Sequence, residues 1–268
     1  MVNEKEFYRE KFVTAHPWKW YYDFFLPFHL SMYKTYWIKR MLKPGAKVLD
    51  LGCGGGRAYF ARKFEMYGLD ISEPAVMNAK GLYKDAVVSD VRTMPFPDAS
   101  FDFVMSMDLL GHIPLEDKNS VISEIKRVLK PGGSTIHYVE TESSDNNIKE
   151  NFPVLYYQSF ILQDGHFGLE LPTETVSRFA RYFKIIKTQG HAAILSPIED
   201  YAKRFSNEMS NASRRIRFLT TISQMIAGHT YMCFLVNCLL GIPARILNSL
   251  APLDHSRGIF IAAQKGAR

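Results

Sequence analysis

The stretch Val48-Leu49-Asp50-Leu51-Gly52-Cys53-Gly54-Gly55-Gly56-Arg57 decides the fold of this sequence. It is typical of an apolar β-strand that runs directly into a glycine-rich turn and then a helix. Gly52, Gly54 and Gly56 lack a Cβ, so the backbone there can adopt positive φ and approach a bound molecule closely. The stretch therefore predicts a ligand-binding turn between a strand and a helix.

The spacing of the glycines restricts the ligand. A dinucleotide-binding turn has the pattern G-x-G-x-x-G, and its third glycine would fall on Arg57. A P-loop is excluded because no Gly-Lys-Ser/Thr follows. Acids then recur 20 residues apart: Asp70 and Asp90 each end a further predicted strand. A carboxylate at Asp70 can accept hydrogen bonds from ribose hydroxyls, and one at Asp90 can accept from an adenine amine.

Composition indicates a globular protein with a full hydrophobic core, since 47% of its 268 residues are hydrophobic and 22% are charged. The net charge of +6 is mild, so nucleic acid is an unlikely partner. The three cysteines form no C-x-x-C pair, which argues against a zinc site or a disulfide framework. The acidic first residues do not resemble a secretory signal, so we expect a cytoplasmic protein with reduced thiols.

Four zones follow one another along the chain. Residues 1–43 are rich in aromatic side chains and predict a helical cap of two helices; residues 44–191 predict the core; residues 192–256 predict a helical insertion; residues 257–268 complete the core. The predicted strands are Lys47 to Leu51, Glu65 to Asp70, Ala86 to Ser89, Phe101 to Met107, Ser134 to Glu140, Phe183 to Gln189 and Gly258 to Gln264. Pro131-Gly132-Gly133 is expected as a turn before the fifth strand, and Thr173 as a helix cap.

Four segments, in order, resemble the small-molecule group of class I S-adenosylmethionine (SAM) methyltransferases. They are V-L-D-L-G-C-G-G-G, G-L-D-I-S, S-D-V-R-T-M-P-F-P-D-A-S-F-D-F-V and E-I-K-R-V-L-K-P-G-G, between Val48 and about Glu140. The resemblance implies an α/β, Rossmann-like fold: a seven-stranded, mostly parallel sheet with helices on both faces. It also implies SAM as cofactor, S-adenosylhomocysteine as product and no metal.

The resemblance assigns cofactor-binding roles by position. Asp50, Gly52 and Gly54 would contact the methionine part of SAM and Asp70 the ribose. The adenine would lie between Ile71, Asp90 and Val91, with Met107 below the sulfonium. The same acids have structural readings, since Asp70 could cap the helix that follows and Asp90 could begin a turn.

Catalysis needs little acid or base help, because the sulfonium leaving group is already cationic. A base matters when the acceptor is a hydroxyl or a protonated amine. His112, which follows the fourth strand, is the first candidate, and its alternative role is to position the loop or the cofactor. His166, between two glycines after the fifth strand, is the second candidate.

The acceptor is expected to be small or medium-sized and hydrophobic, and O-methylation is favoured over N- or C-methylation. An aromatic pocket would be formed by Tyr8, Trp18, Tyr21 and Tyr22, although ordinary packing explains most of the aromatic cap. The uncharged stretch after Arg217 is interpreted as a buried or interfacial helix. A membrane span is the less favoured interpretation. Residues 214–247 thus leave open a peripheral membrane contact or a homodimer.

The sequence therefore predicts a SAM-dependent methyltransferase. Two other classes stay open: a catalytically silent SAM-binding scaffold, and a nucleic-acid methyltransferase. The second is disfavoured because Ser106-Met107-Asp108-Leu109 replaces the Asn/Asp-Pro-Pro-aromatic pattern of those families.

Overall fold

The computed structural model describes residues 4–17, 19–144, 161–162, 164–191, 198 and 214–267. Its centre is a seven-stranded sheet with the order β3-β2-β1-β4-β5-β7-β6. The strands are β1 (Lys47–Leu51), β2 (Glu65–Asp70), β3 (Asp85–Val88), β4 (Phe101–Met107), β5 (Leu129–Glu140), β6 (Lys184–His191) and β7 (Gly258–Gln264). Only β7 runs antiparallel to its neighbours, β5 and β6. The predicted mostly parallel, Rossmann-like sheet is confirmed.

Helices cover both faces of the sheet, and each face has its own hydrophobic core. The α-helices are α1 (Glu4–Tyr8), α2 (Tyr22–Phe25), α3 (Tyr33–Met41), α4 (Ala58–Ala61), α5 (Glu73–Lys80), α6 (Lys118–Val128), α7 (Pro172–Ala180), α8 (Arg214–Ala227) and α9 (Thr230–Leu250). Short 3₁₀ helices occupy Leu30–Met32 and Leu253–His255. One core contains residues from α3, α4 and α5, and the other contains residues from α6 and α7.

Topology explains where a ligand can bind. β1 pairs in parallel with β2 on one side and with β4 on the other. The order in which successive strands are added to the sheet therefore switches from one side of β1 to the other. In open α/β sheets a crevice forms at such a switch point, outside the carboxyl ends of the strands. The glycine turn begins at the carboxyl end of β1, as the sequence predicts.

Two local predictions were wrong. Pro131-Gly132-Gly133 does not precede β5 but lies within it, where the pairing with β4 shifts from Phe101–Leu129 to Phe103–Ser134. Such a bulge frees the proline from ladder hydrogen bonding. Thr173 is not the cap of α7, which begins after Leu171; its backbone N–H and hydroxyl both donate to Asp254.

The aromatic cap differs from the predicted pair of helices. In its described residues the cap contains, besides α3, the one-turn helices α1 and α2, the 3₁₀ helix Leu30–Met32, and a segment of turns and bends between α1 and α2. We call residues 9–16 of that segment the strap. Ordered helices of such length are marginal by themselves, so their position depends on contacts with the core.

The inserted region is helical in its described part, where α8 and α9 precede β7. Residues 192–197 and 199–213 lie outside the described residues, so the predicted bounds of the insertion stay a prediction. The uncharged stretch was expected to be a buried or interfacial helix; it is the helix α9, and the buried reading is wrong because only 17% of its most apolar part is buried. α9 is also long and apolar enough to cross a membrane by length and composition.

We expect Phe260→Ala to lower the free energy of unfolding by about 3–5 kcal/mol. Phe260 is fully buried in β7, with its ring centroid 4.9 Å from those of both Trp37 and Tyr138. The substitution leaves a cavity that these large rings cannot close. Urea unfolding checks this value, with Ile186→Ala as the control because Ile186 is 47% exposed. Equal effects of the two substitutions would contradict the packing argument.

Candidate donor and acceptor site

The glycine turn is in contact with another segment of the chain, the strap. The strap crosses it through three backbone hydrogen bonds: Gly55 N to Phe12 O (3.0 Å), His16 N to Gly56 O (2.8 Å) and Ala58 N to His16 O (3.1 Å). A Cβ at Gly55 would lie 2.1 Å from Val13 O. Glycine is therefore required here because another stretch of the same backbone approaches it, a constraint that sequence reasoning attributed to the ligand alone.

A crevice opens beside this turn at the carboxyl ends of β1, β2 and β4. We call it the donor crevice. Seven of the eight predicted cofactor residues line it: Gly52, Gly54, Asp70, Ile71, Asp90, Val91 and Met107. The predicted base His112 and the strap residues Phe12 and His16 line it too. Motifs spread over 100 residues of sequence thus meet at one place.

Asp70 holds the turn in shape while facing the crevice. One carboxylate oxygen accepts from Gly54 N at 2.8 Å, and the other accepts from Ser72 N at 2.9 Å. Ser72, not Asp70, caps α5, since its hydroxyl accepts from Ala75 N. Each carboxylate oxygen can accept more than one hydrogen bond, so Asp70 can also receive ribose hydroxyls.

Asp50 is the predicted cofactor residue that does not line the crevice. Its side chain is fully buried, accepts from the Tyr83 hydroxyl at 2.7 Å and lies 3.4 Å from Arg57 Nε. Burial raises the pKa of Asp50 to about 6 despite the Arg57 guanidinium. Arg57, in contrast, does line the crevice. In this structure Asp50 is paired with Arg57 and does not line the crevice, so its predicted contact with the methionine part of SAM stays a prediction.

Asp90 begins a turn, which was its predicted structural role, and it also faces the crevice. Its Oδ1 accepts from Arg92 N at 2.8 Å and from Arg92 Nε at 2.9 Å. Arg92 in turn binds Asp117 at 2.8 Å. The second carboxylate oxygen of Asp90 stays available to an amine donor.

His112 belongs to a buried cluster with Tyr8, Glu140 and His166. Its Nδ1 lies 3.1 Å from the Tyr8 hydroxyl and 3.0 Å from Gly165 O, and its Nε2 lies 3.6 Å from Glu140 Oε2. His166 stacks on His112 at 4.5 Å between ring centroids and places its Nε2 2.8 Å from Glu140 Oε1. The structure thus brings together both predicted histidines, but only His112 lines the crevice.

Charge in this cluster is set by burial and by Glu140. Burial lowers the pKa of His112 below its ordinary value of 6.5, so the imidazole is neutral at physiological pH and can accept a proton. Burial raises the pKa of Glu140, but the neighbouring His166, His112 and Lys34 together hold it down at about 2. Glu140 was missed as a site residue, although an acid at the carboxyl end of a strand is a signal that could have found it.

The same cluster bears on the predicted absence of a metal. Among the described residues, His112, Glu140 and His166 offer ligand atoms that all lie within 4.8 Å of one another. Imidazole and carboxylate are ligands that suit zinc and other transition metals. Metal independence therefore stays a prediction that needs its own test.

The predicted aromatic acceptor pocket is only partly assembled. Tyr8 lines the donor crevice, and its hydroxyl donates to Gly165 O at 3.0 Å. Tyr21 packs on Phe234 of α9, with ring centroids 5.3 Å apart, and is not among the lining residues. Trp18 and the side chain of Tyr22 lie outside the described residues. Phe12, Leu109 and Ile113, which the sequence did not single out, supply the apolar lining instead.

Comparisons with known proteins agree with this geometry. Residues 49–137 match a family model described as a methyltransferase domain. The sterol 24-C-methyltransferase ERG6B of Gibberella zeae is 41% identical over 121 residues, which are 40% of this chain and 31% of that protein. The 27-O-demethylrifamycin SV methyltransferase of Amycolatopsis mediterranei is 40% identical over 34% of this chain and 38% of its own length.

A solved structure extends the likeness beyond the motifs. Phosphoethanolamine N-methyltransferase 2 of Haemonchus contortus, in complex with phosphomonomethylethanolamine and S-adenosylhomocysteine, superposes with a TM-score of 0.60 at 16% identity. The match covers 99% of this chain and 61% of that one. At this identity the likeness shows the fold. The matched region spans only about a third of the length of the two curated relatives.

The sheet order, the crevice and the family match over residues 49–137 together support a class I SAM-dependent methyltransferase domain in the core of this chain. The names of the three similar proteins refer to methylation at carbon, oxygen and nitrogen. The family match therefore identifies the methyl donor class and leaves the acceptor atom open.

We expect Asp70→Ala to weaken SAM binding at least about tenfold, because it removes a charged acceptor for the ribose and releases Gly54 N. Isothermal titration with SAM measures the affinity. Asp85→Ala is the matched control, since Asp85 is an exposed aspartate at the other end of the neighbouring strand β3. Equal affinities of the two variants would exclude Asp70 from the donor site.

Proposed function

We propose that this protein transfers the methyl group of SAM to a hydroxyl oxygen of a small or medium-sized lipophilic acceptor, releasing S-adenosylhomocysteine. The observation that carries the proposal is the composition of the donor crevice. The cofactor residues line one part of it, and a proton-accepting pair, Tyr8 and His112, lies among the apolar side chains of Phe12, Leu109 and Ile113.

The reaction is an in-line displacement. A lone pair of the acceptor oxygen forms the new C–O bond as the methyl–sulfur bond breaks. The sulfur keeps the electron pair of the broken C–S bond. The protein has to align the two groups and keep water out. Apolar lining serves both purposes, because it binds a lipophilic acceptor and excludes competing water.

His112 and Tyr8 account for the proton that a hydroxyl acceptor must lose. In the neutral imidazole, the Glu140 carboxylate favours a proton on Nε2, and Nδ1 then accepts when the Tyr8 hydroxyl turns its single proton from Gly165 O toward it. Tyr8 lines the crevice and can relay the acceptor proton to His112. The imidazolium that results can donate to Gly165 O from Nδ1 and face Glu140 from Nε2.

The similar proteins give limited support to the lipophilic acceptor. One of them is named for a sterol, which fits an apolar crevice, and another is named for an O-demethylated acceptor. An arrangement built only for a free amine would have less need of a neutral histidine poised to take a proton, because the methylated ammonium can lose its proton to water. A catalytically silent SAM-binding scaffold is the alternative.

Incubation with SAM labelled in its methyl group tests the proposal. We expect label to pass into the organic phase with long-chain or isoprenoid phenols and alcohols, and no label on phosphoethanolamine. Dialysis against EDTA should leave the rate unchanged, because the displacement needs no Lewis acid. SAM binding without transfer to any acceptor would favour the silent scaffold, and a rate lost with EDTA and restored by zinc would make the histidine cluster a metal centre.

We expect His112→Ala to lower kcat about 100-fold to 10,000-fold while changing SAM affinity little, since it removes the proton acceptor and not a donor contact. In the unaltered protein kcat should be flat above pH 6.5 and fall at lower pH. The sign follows because burial lowers the His112 pKa, so its base form is lost only on acidification below 6.5. The pH profile of the variant should lose this fall.

His229→Ala is the control for that experiment, because His229 is exposed between α8 and α9 and lies outside the crevice lining. A His112→Ala variant with intact kcat and weakened SAM binding would make His112 a cofactor-positioning residue.

The proposal keeps the cytoplasmic location and reduced thiols expected from the sequence. Cys53 lies buried beside the glycine turn, and burial raises the pKa of its thiol well above the ordinary value. A protonated, buried thiol reacts slowly with oxidants and disulfides.

A further inference from the structure

We propose that α8, α9 and the neighbouring aromatic segment 20–28 form a surface that binds an anionic phospholipid bilayer, and that a cationic pocket at the end of α9 takes a lipid phosphate. This inference deepens the proposed function by naming a partner. It rests on that function only for the idea that the acceptor is itself a lipid.

The exposed face of α9 is apolar along its whole length. Leu235, Leu239, Ile242, Ile246 and Leu250 recur at helical spacing, and Leu239 and Leu250 are 66% and 76% exposed. Adjoining side chains extend this face with similar exposure: Phe218, Met225, Tyr231, Trp20 and Phe24. Exposed apolar surface of this extent is unusual for a soluble monomer and marks an interaction site.

The opposite face of α9 is fixed to the protein. Asn237, Gly241, Ala244 and Asn248 are buried, and a Cβ at Gly241 would lie 1.6 Å from Phe28 O. The helix therefore lies along the body of the protein with one side outward. The outward side of α9 contacts the bilayer in the manner of an interfacial amphipathic helix, and the helix does not span it.

Charge selects a lipid surface over other apolar partners. The sequence has no Asp or Glu between Glu208 and Asp254, whereas it has four arginines there. Arg214 and Arg217 are exposed on the first turn of α8. An apolar face beside basic side chains is the combination that binds anionic bilayers, each basic residue near the surface contributing about 1 kcal/mol.

A pocket beside the end of α9 supplies the phosphate site. Among its described lining residues are the cations Arg40, Lys187 and Arg245 and no carboxylate. Arg245 is held in place by its bonds to Gly241 O and Pro27 O. Ile246 belongs both to this pocket and to the exposed apolar face, so a headgroup here would sit next to inserted side chains.

The N-terminal part of the chain connects this surface to the donor crevice. Phe234 of α9 packs on Tyr21 and Phe25, with ring centroids 5.3 Å and 5.0 Å apart. These residues follow directly on the strap, whose residues Phe12 and His16 line the crevice. A bilayer-bound protein would thus hold the crevice entrance near the source of a lipophilic acceptor.

Vesicle flotation of the full chain, without SAM or acceptor, tests the inference. We expect the protein to float with phosphatidylcholine vesicles that contain about 30% phosphatidylserine, and tenfold less with phosphatidylcholine alone. Leu235→Asp/Leu239→Asp and, separately, Arg40→Glu/Lys187→Glu should each lower the bound fraction at least about tenfold. Binding should also be released at about 1 M salt, because a peripheral electrostatic contact is screened.

The matched controls are Met77→Asp and Lys80→Glu on α5, both at exposed positions, which should float like the unaltered protein. Urea unfolding midpoints show whether every variant folds. Absence of flotation, flotation unaffected by either double substitution, or retention at high salt would overturn the inference. So would a lipid-free homodimer, seen by sedimentation, that Leu235→Asp/Leu239→Asp dissociates. Flotation with no methyl transfer would leave this inference standing and count only against the proposed function.

Discussion

The site depends on the backbone hydrogen bonds between the strap and the glycine turn. Gly55 donates to Phe12 O, while His16 and Ala58 complete the pairing on either side. These bonds, which include an isolated parallel β-bridge between His16 and Arg57, hold the strap where Phe12 and His16 line the crevice. The glycines therefore serve two partners, a ligand on one side and the chain's own N-terminal segment on the other.

Buried charge gives the site its rigidity and its chemistry. Asp50, Tyr83 and Arg57 form a group beneath the crevice, and Lys34 binds Asp108 at 2.5 Å at the end of β4. Removing Asp50 or Arg57 leaves its partner as an uncompensated buried charge, which costs far more than losing a surface pair. Lys34 and Asp108 are each about a third exposed, so solvent weakens the effect of their pair. The orientation of the crevice residues is thus determined by partners that do not touch the ligand.

Much of the core could be predicted because its signals are local. β1, β2, β4 and β7 have the predicted bounds, since short apolar runs and flanking turns define them. The placement of Tyr8 against His112 could not be found in this way, because the contacts between Tyr8, His112 and Gly165 join residues more than 50 positions apart. The exposure of α9 was also hidden, since an apolar run gives no sign of what will cover it.

The position of β7 affects how the protein can fold during its synthesis. β7 lies between β5 and β6, and its residues follow both α8 and α9 in the chain. During synthesis, therefore, the edge of β5 stays unpaired until β7 emerges, and the apolar helix α9 is made before β7. Open strand edges and exposed apolar helices both promote aggregation. A nascent chain of this protein has reason to need a chaperone until Gln264 emerges and the sheet closes.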